Sequence, residues 1–226
     1  VEKLLADVKA NGVGKRYLIQ HSAGSGKSNS IAWLAHQLIG LEKDGHPMID
    51  SVLVVTDRRI LDKQIRDNIK QFMQVANTVA WAEHSGDLRK AIQAGKRIII
   101  TTVEKFPYVV PDIGAAHKTN HFAVIIDEAH SGQNGRNSAQ MNLALSGLAS
   151  EDEMDNEDKI NAMMEGRKLL PNASYFAFTA TPKNKTLETF GTLVVDENGN
   201  PVLNEDGEAQ HRPFHSYTMK QAIQEG

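Results

Sequence analysis

Five short runs of apolar and β-branched residues recur along the chain, with stretches of helical spacing between them. Because the runs are apolar on both faces, they predict central parallel strands that helices cover on each side. Strands that alternate with helices are typical of a doubly wound, mainly parallel α/β sheet, which binds ligands at the carboxyl ends of its strands. The predicted strands lie at 17–20, 52–56, 98–102, 122–126 and 175–179.

Helical spacing fills most of the remaining chain, and two segments depart from the alternation. Residues 150–170 begin with an acidic run, which predicts a solvated loop before a helix. Residues 192–204 carry Asn198-Gly199 between apolar pairs, which predicts a small β-hairpin insertion. No internal repeat is apparent, and residues 1–226 are expected to form one domain. The predicted helices lie at 27–41, 59–72, 87–94 and 138–148.

Composition excludes several classes of protein. Cysteine is absent, so disulfide frameworks, thiolate zinc sites and cysteine nucleophiles are excluded. The formal net charge is −3, so any nucleic-acid surface has to be a local patch. No stretch approaches the roughly 18 apolar residues of a membrane span, and a cytoplasmic protein without a membrane segment is expected. Val1 is not an initiator methionine, and we expect the chain to be a fragment of a longer one.

A glycine-rich segment, Gly24-Ser25-Gly26-Lys27-Ser28, lies between the first predicted strand and the first predicted helix. Glycines let backbone N–H groups turn towards phosphate oxygens, and the helix N-terminus adds a partial positive charge. Lys27 can reach the β- and γ-phosphates of ATP, and the Ser28 hydroxyl can bind Mg²⁺. His21 stands where the eight-residue P-loop pattern has its first glycine. The remaining pattern still predicts a phosphate-binding loop.

An acidic pair follows the fourth predicted strand. Asp127 and Glu128 come directly after it, where a P-loop ATPase needs a Mg²⁺ anchor and a residue that orients the attacking water. We expect Asp127 to hold the metal and Glu128 to orient the water. An acidic pair alone at a strand end is more often a helix cap, but the phosphate loop upstream favours the catalytic interpretation.

Three motifs in order resemble those of superfamily 2 helicase-like ATPases. They are the phosphate loop, the DEAH box Asp127-Glu128-Ala129-His130, and Thr179-Ala180-Thr181-Pro182, which resembles motif III. From Arg16 to Gly226 the chain resembles the motor (R) subunit of type I restriction-modification enzymes, although Ala180 stands where that family often has glycine. The residues that carry this closer resemblance are Gln20 to Ser28, Val55 to Arg59 with Leu61 and Gln64, Thr101 to Phe106, Gln133, Phe178 and Phe190-Gly191.

The resemblance implies the first RecA-like domain of a motor that uses ATP and Mg²⁺ to pull duplex DNA. It also implies methylation and specificity subunits as partners, and a second RecA-like domain of the same chain that supplies an arginine finger. The nuclease domain of such a subunit is expected outside these residues. Four residues are expected to couple the ATP site to DNA: His130, Gln133, Thr179 and Thr181.

DNA contacts are expected in the loops after Thr56 and Thr102. Arg58, Arg59 and Lys105 could contact phosphates, and the two threonine hydroxyls could donate hydrogen bonds. Such contacts carry no sequence information, as a translocating motor requires. The alternative for the two arginines is that they cap or solubilise a helix start.

Two other functions remain open from the sequence. One is a different superfamily 2 helicase or translocase that acts on RNA or on chromatin. The other is a P-loop protein that uses ATP as a conformational switch for a protein partner. Among the remaining side chains, His117 and His121 are interpreted as surface histidines, and Trp33 and Trp81 as core residues.

Overall fold

The computed structural model describes residues 1–22, 26–56, 67, 69, 79–82, 85–102, 106, 119–127 and 172–217. The predicted helix at 138–148 and the acidic segment at 150–170 lie outside the described residues. Of the predicted helix at 59–72, only Asp67 and Ile69 are described, and both are helical.

The described strands are β1 (Arg16–His21), β2 (Glu42–Lys43), β3 (His46–Pro47), β4 (Ser51–Thr56), β5 (Val79–Trp81), β6 (Ile98–Thr102), β7 (Phe122–Ile126), β8 (Ala173–Thr179), β9 (Thr192–Leu193), β10 (His211–Arg212) and β11 (His215–Tyr217). Seven of these strands form one parallel sheet in the order β11-β1-β8-β7-β4-β6-β5. All five strands predicted from sequence are among them, and the predicted α/β class is confirmed. Two short antiparallel pairs, β2-β3 and β9-β10, lie outside this sheet.

Helices cover both faces of the sheet. Along β4 the side chains alternate, so that Val52 and Val54 join one core cluster while Leu53 and Val55 join the other. The first cluster contains side chains of α1 (Glu2–Asn11) and α2 (Lys27–Ile39). The second contains side chains of α3 (Ser85–Gln93) and Phe190 of α4 (Asn184–Phe190). The sheet is therefore doubly wound.

Helix α2 shows why one core prediction fails. Its buried residues Ile31, Leu34 and Leu38 recur at three- and four-residue spacing and face the sheet. Trp33 falls outside this stripe and is 45% exposed, so the expectation that it is a core residue is wrong. Trp81, on β5, is partly buried and packs against the core cluster that contains α1 and α2.

Several elements were not predicted, namely α1, α4, β2, β3, β5, β10 and β11. The β2-β3 hairpin turns at Asp44-Gly45, and both residues have positive φ, 53° and 77°. This geometry is that of a type I′ turn, for which Asp-Gly is a favoured dipeptide. Strands β5, β10 and β11 have only two or three residues each, too few to show the alternation of a strand.

An excursion from the α/β alternation starts after α4 and covers residues 192–212. It begins after Gly191, where an added β-carbon would overlap the Leu187 carbonyl oxygen. The predicted turn at Asn198-Gly199 is present, and a bridge between Val195 and Pro201 closes it. A second loop follows directly and is closed by a bridge between Leu203 and Ala209, and β9 then pairs with β10. The excursion is therefore longer than the hairpin expected at 192–204.

The two loops of the excursion are an internal repeat of eight residues, contrary to the expectation of none. Residues 194–201 and 202–209 align position by position. The Asp196 carboxylate accepts two backbone N–H groups in the first loop, and the Asn204 side-chain oxygen accepts the two equivalent groups in the second. Gly199 and Gly207 occupy the same position, with φ near 83° and 80°. A short polar acceptor and a left-handed glycine therefore specify the same turn twice.

Candidate functional site

The carboxyl ends of the parallel strands meet at one edge of the sheet. Five strands that precede the predicted motifs, β1, β4, β6, β7 and β8, are hydrogen-bonded neighbours. Because all of them run in the same direction, the phosphate loop, the acidic pair and the threonine-rich motif leave the sheet at this edge. The described residues on it are Ser22, Gly26, Lys27, Ser28, Thr56, Thr102, Asp127, Thr179 and Thr181.

An ion pair joins two of the predicted site residues at this edge. The Lys27 ammonium nitrogen lies 3.3 Å from an Asp127 carboxylate oxygen. The Lys27 side chain is 10% exposed and the Asp127 side chain only 1%. Burial lowers the pKa of Lys27, and the neighbouring Asp127 carboxylate offsets part of that shift. A buried cation and a buried carboxylate therefore face each other between α2 and the end of β7.

The backbone explains how each partner is positioned. Asp127 directly follows β7, and its N–H donates to the Val55 carbonyl at 2.9 Å, which fixes it beside β4. Gly26 precedes α2 with φ 84°, a left-handed conformation that favours glycine. The first turn of α2 then presents Lys27 and Ser28 at a helix N-terminus, where the partial positive charge favours anions. Gly24 and Ser25 of the predicted loop, and Glu128, His130 and Gln133 after Asp127, lie outside the described residues.

The threonine-rich motif is tied to the strand that leads into the phosphate loop. Thr179 ends β8, is fully buried and pairs with Gln20 of β1. The Gln20 side-chain amide donates to the Ala180 carbonyl at 3.3 Å and accepts from the Ser216 hydroxyl at 3.3 Å. Thr181 is exposed. These contacts of Gln20 were not predicted from the sequence, because a contact between neighbouring strands has no local signal.

Comparisons with known proteins show the family of the chain. The family model described as SWI2/SNF2 ATPase matches residues 1–226. The chain belongs to the SWI2/SNF2 ATPase family. Among curated proteins, it is 29% identical to the type I restriction enzyme HindI endonuclease subunit of Haemophilus influenzae, over 77% of this chain and 16% of that protein.

The chain is also similar to a second restriction-enzyme subunit and to the solved structure of a helicase domain. The chain is 25% identical to the type I restriction enzyme SsaAORF53P endonuclease subunit of Staphylococcus saprophyticus, over 92% of this chain and 18% of that protein. It thus spans less than a fifth of the length of either relative. The Hef helicase domain of Pyrococcus furiosus superposes with a TM-score of 0.49 at 16% identity, covering 83% of this chain and 34% of that one.

The predicted DNA-contact residues of this SWI2/SNF2 ATPase are described only in part. Thr56 and Thr102 are register partners at the carboxyl ends of β4 and β6. Thr56 is fully buried, and its hydroxyl donates to the Thr101 carbonyl at 3.4 Å. Its DNA contact stays a prediction. Thr102 is 6% exposed. Arg58, Arg59 and Lys105 lie outside the described residues, and their DNA contacts stay predictions.

In the described part of the chain, no cluster of three or more His, Asp or Glu side chains is arranged to hold a metal ion, and His121 is exposed. None of the described helices is long and apolar enough to cross a membrane. A cavity of about 580 Å³ opens at the opposite edge of the sheet, beside Val13, Pro47 and Met48. It lies away from Lys27 and Asp127.

Proposed function

We propose that this chain is the ATP-hydrolysing motor domain of a type I restriction enzyme's endonuclease subunit and drives duplex DNA translocation. The observation that carries the proposal is the buried pair of Lys27 and Asp127 at the carboxyl edge of a parallel sheet. Membership of the SWI2/SNF2 ATPase family and the similarity to two restriction-enzyme subunits support it.

In this proposal ATP binds at the N-terminus of α2. Backbone N–H groups of Gly24, Ser25 and Gly26 hold phosphate oxygens, and Lys27 neutralises charge on the β- and γ-phosphates. The Ser28 hydroxyl and the Asp127 carboxylate are hard oxygen ligands, the kind of ligand that Mg²⁺ prefers. Because Lys27 and Asp127 are in contact, the proposed phosphate-binding cation and the proposed Mg²⁺ ligand lie at one site.

Hydrolysis requires a water molecule that is aligned with the terminal phosphate. Mg²⁺ held by Ser28 and Asp127 would neutralise charge on the phosphate oxygens. Glu128, which follows Asp127 in the chain, orients the attacking water and accepts its proton. An arginine from a second RecA-like domain of the same chain stabilises the charge that moves onto the leaving oxygen.

Coupling to DNA is assigned to the residues that leave the same edge. Gln20 joins β1, just before the phosphate loop, to the Ala180 carbonyl, so a shift in either segment is transmitted to the other. Thr179 and Thr181 flank that carbonyl, and His130 and Gln133 follow the acidic pair. We propose that these four residues transmit the state of the nucleotide to the DNA track.

The DNA track is proposed to run over the loops after β4 and β6. Arg58, Arg59 and Lys105 contact phosphates, and Thr102 is proposed to donate a hydroxyl hydrogen bond. These contacts hold the backbone and leave sequence recognition to a specificity subunit, which we propose as a partner together with a methylation subunit. The proposed location of the complex is the cytoplasm of a bacterium or archaeon.

Nucleic-acid dependence of ATP hydrolysis tests the proposal. In the intact protein, steady-state ATPase is measured with duplex DNA, with duplex RNA and without nucleic acid. We expect stimulation by DNA in the wild type and no activity in Lys27→Ala. Lys15→Ala, which removes a lysine from an exposed ion pair, is the matched control and should keep full activity. Stimulation by RNA would indicate another superfamily 2 enzyme, and turnover indifferent to nucleic acid would indicate a switch for a protein partner.

A further inference from the structure

The residue that replaces the first glycine of the P-loop pattern is buried and is the last residue of β1. His21 is 3% exposed, and its ring centroid lies 5.1 Å from that of Tyr217 and 6.3 Å from that of Phe178. It pairs in register with Tyr217 of β11 and does not have positive φ. Because the strand continues through this position, glycine's conformational freedom is not required here.

The His21 side chain makes a contact across the phosphate loop. Its Nε2 atom lies 3.1 Å from the Ser30 hydroxyl oxygen. Ser30 belongs to the first turn of α2, where its N–H donates to the Gly26 carbonyl at 3.1 Å. The residue that precedes the loop is thus hydrogen-bonded to the helix that follows it. On the other side of β1, the Ser22 N–H donates to the Tyr217 carbonyl at 3.1 Å.

The protonation state of His21 distinguishes it from a side chain that binds phosphate by its positive charge. Burial lowers its pKa, and the nearby Lys27 ammonium lowers it further, although a backbone hydrogen bond with Ser22 raises it. The neutral imidazole is therefore favoured at neutral pH. The neutral His21 side chain, hydrogen-bonded to Ser30, can hold the two segments in place but does not supply positive charge to a phosphate.

We propose that His21 is a positioning residue whose hydrogen bond to Ser30 fixes the end of β1 against the start of α2 and thereby sets nucleotide affinity. A binding site whose two ends are already held together loses less conformational freedom when the ligand binds. This inference rests on the proposed function, because it assumes that the loop binds ATP phosphates.

The test is a double-mutant cycle in the intact protein. Affinity for ADP·Mg²⁺ and for ATPγS·Mg²⁺ is measured by calorimetry in His21→Ala, Ser30→Ala and the double variant. Each single substitution should weaken binding by about three- to tenfold, the worth of one hydrogen bond. The double variant should bind about as weakly as either single one, because both remove the same contact. In DNA-stimulated ATPase, KM should rise while kcat at saturating ATP stays within about twofold.

Two further variants separate positioning from packing. His21→Gln places a neutral amide near the position of Nε2 and should restore most of the affinity. His36→Ala removes a histidine from the same helix away from the loop and should leave affinity unchanged. Ser30→Ala removes only a hydroxyl, so it keeps the test decisive if His21→Ala does not fold.

Different results would overturn different claims. Additive effects in the double variant, or a lowered Tm with unchanged nucleotide affinity, would show that His21 only packs in the core. If Lys27→Ala abolishes binding while the His21 and Ser30 variants bind normally, the positioning role fails and the proposed function stands. If Lys27→Ala binds nucleotide normally, the proposed function itself fails.

Discussion

The Lys27 ammonium nitrogen lies 3.3 Å from an Asp127 carboxylate oxygen, and both side chains are almost entirely buried. Lys27→Met leaves the Asp127 carboxylate buried without this cation. Removing one partner of a buried ion pair lowers the free energy of unfolding by about 3 kcal/mol or more. We expect urea unfolding to show a loss of that size, and Lys27→Met/Asp127→Asn to recover part of it. Lys15→Met, which breaks the exposed pair with Asp7, should cost less than about 1 kcal/mol. Equal losses in the two lysine variants would contradict a buried pair.

Glu128→Gln separates nucleotide binding from hydrolysis. The amide keeps the size of the side chain but cannot accept a proton from water, so ATP·Mg²⁺ should bind while turnover falls by about 10²-fold or more. Asp127→Asn should instead weaken the dependence of binding on Mg²⁺. Calorimetry and single-turnover hydrolysis measure the two effects. Hydrolysis by Glu128→Gln at the wild-type rate would assign the water-orienting role to another residue.

DNA binding should depend on the loops after β4 and β6. Arg58→Ala/Lys105→Ala should weaken binding equally on unrelated duplexes, and the slope of log K against log salt should fall by about one unit per lost phosphate contact. The control Lys15→Ala/Lys43→Ala removes the same charge at the opposite edge of the sheet and should change neither quantity. Fluorescence anisotropy over a salt series measures both. Loss of affinity for one sequence alone would contradict contacts to the backbone.

Stability should fall as the solution becomes more acidic, in part because of His21. Burial lowers the pKa of His21 in the folded chain, whereas the unfolded chain titrates near its ordinary value of about 6.5. Between the two values the unfolded state binds more protons, so the free energy of unfolding decreases as pH falls below about 6.5, by at most about 1.4 kcal/mol per pH unit for one proton. His215 shifts in the same direction. Urea unfolding measures the free energy of unfolding from pH 7.5 to 5, and its slope against pH should be smaller in His21→Gln than in the wild type. An unchanged slope would show that other groups cause the pH dependence.

The sequence predicted the central strands because β4, β6, β7 and β8 are buried on both faces and are therefore continuously apolar. The sequence did not predict β11, because the strand His215–Tyr217 is short and polar and is the terminal strand of the described sheet, beside β1. The Asp44-Gly45 hairpin and the eight-residue repeat did have local signals in the sequence, a turn dipeptide and two similar segments, and both could have been predicted. Trp33 was misplaced because hydrophobicity alone does not show which helix face a residue occupies.

For the candidate site, the motifs predicted which side chains leave the same edge of the sheet, because a parallel sheet brings all its carboxyl ends together. They did not predict the contacts between elements. The Gln20–Ala180 and His21–Ser30 hydrogen bonds depend on strand order and on the packing of α2. The burial of Thr56 follows from its position between two neighbouring strands, which no local pattern reveals.

Translocation is the central claim, and the dependence of ATPase on DNA length tests it most directly. The intact protein is assayed at a fixed concentration of base pairs, on linear duplexes of increasing length and on closed circles. A motor that travels along DNA hydrolyses more ATP on longer duplexes before it reaches an end, so we predict a rate that rises with length and is highest on circles. Glu128→Gln should show no turnover on any of them. A wild-type rate that is independent of duplex length and equal on circles would contradict translocation.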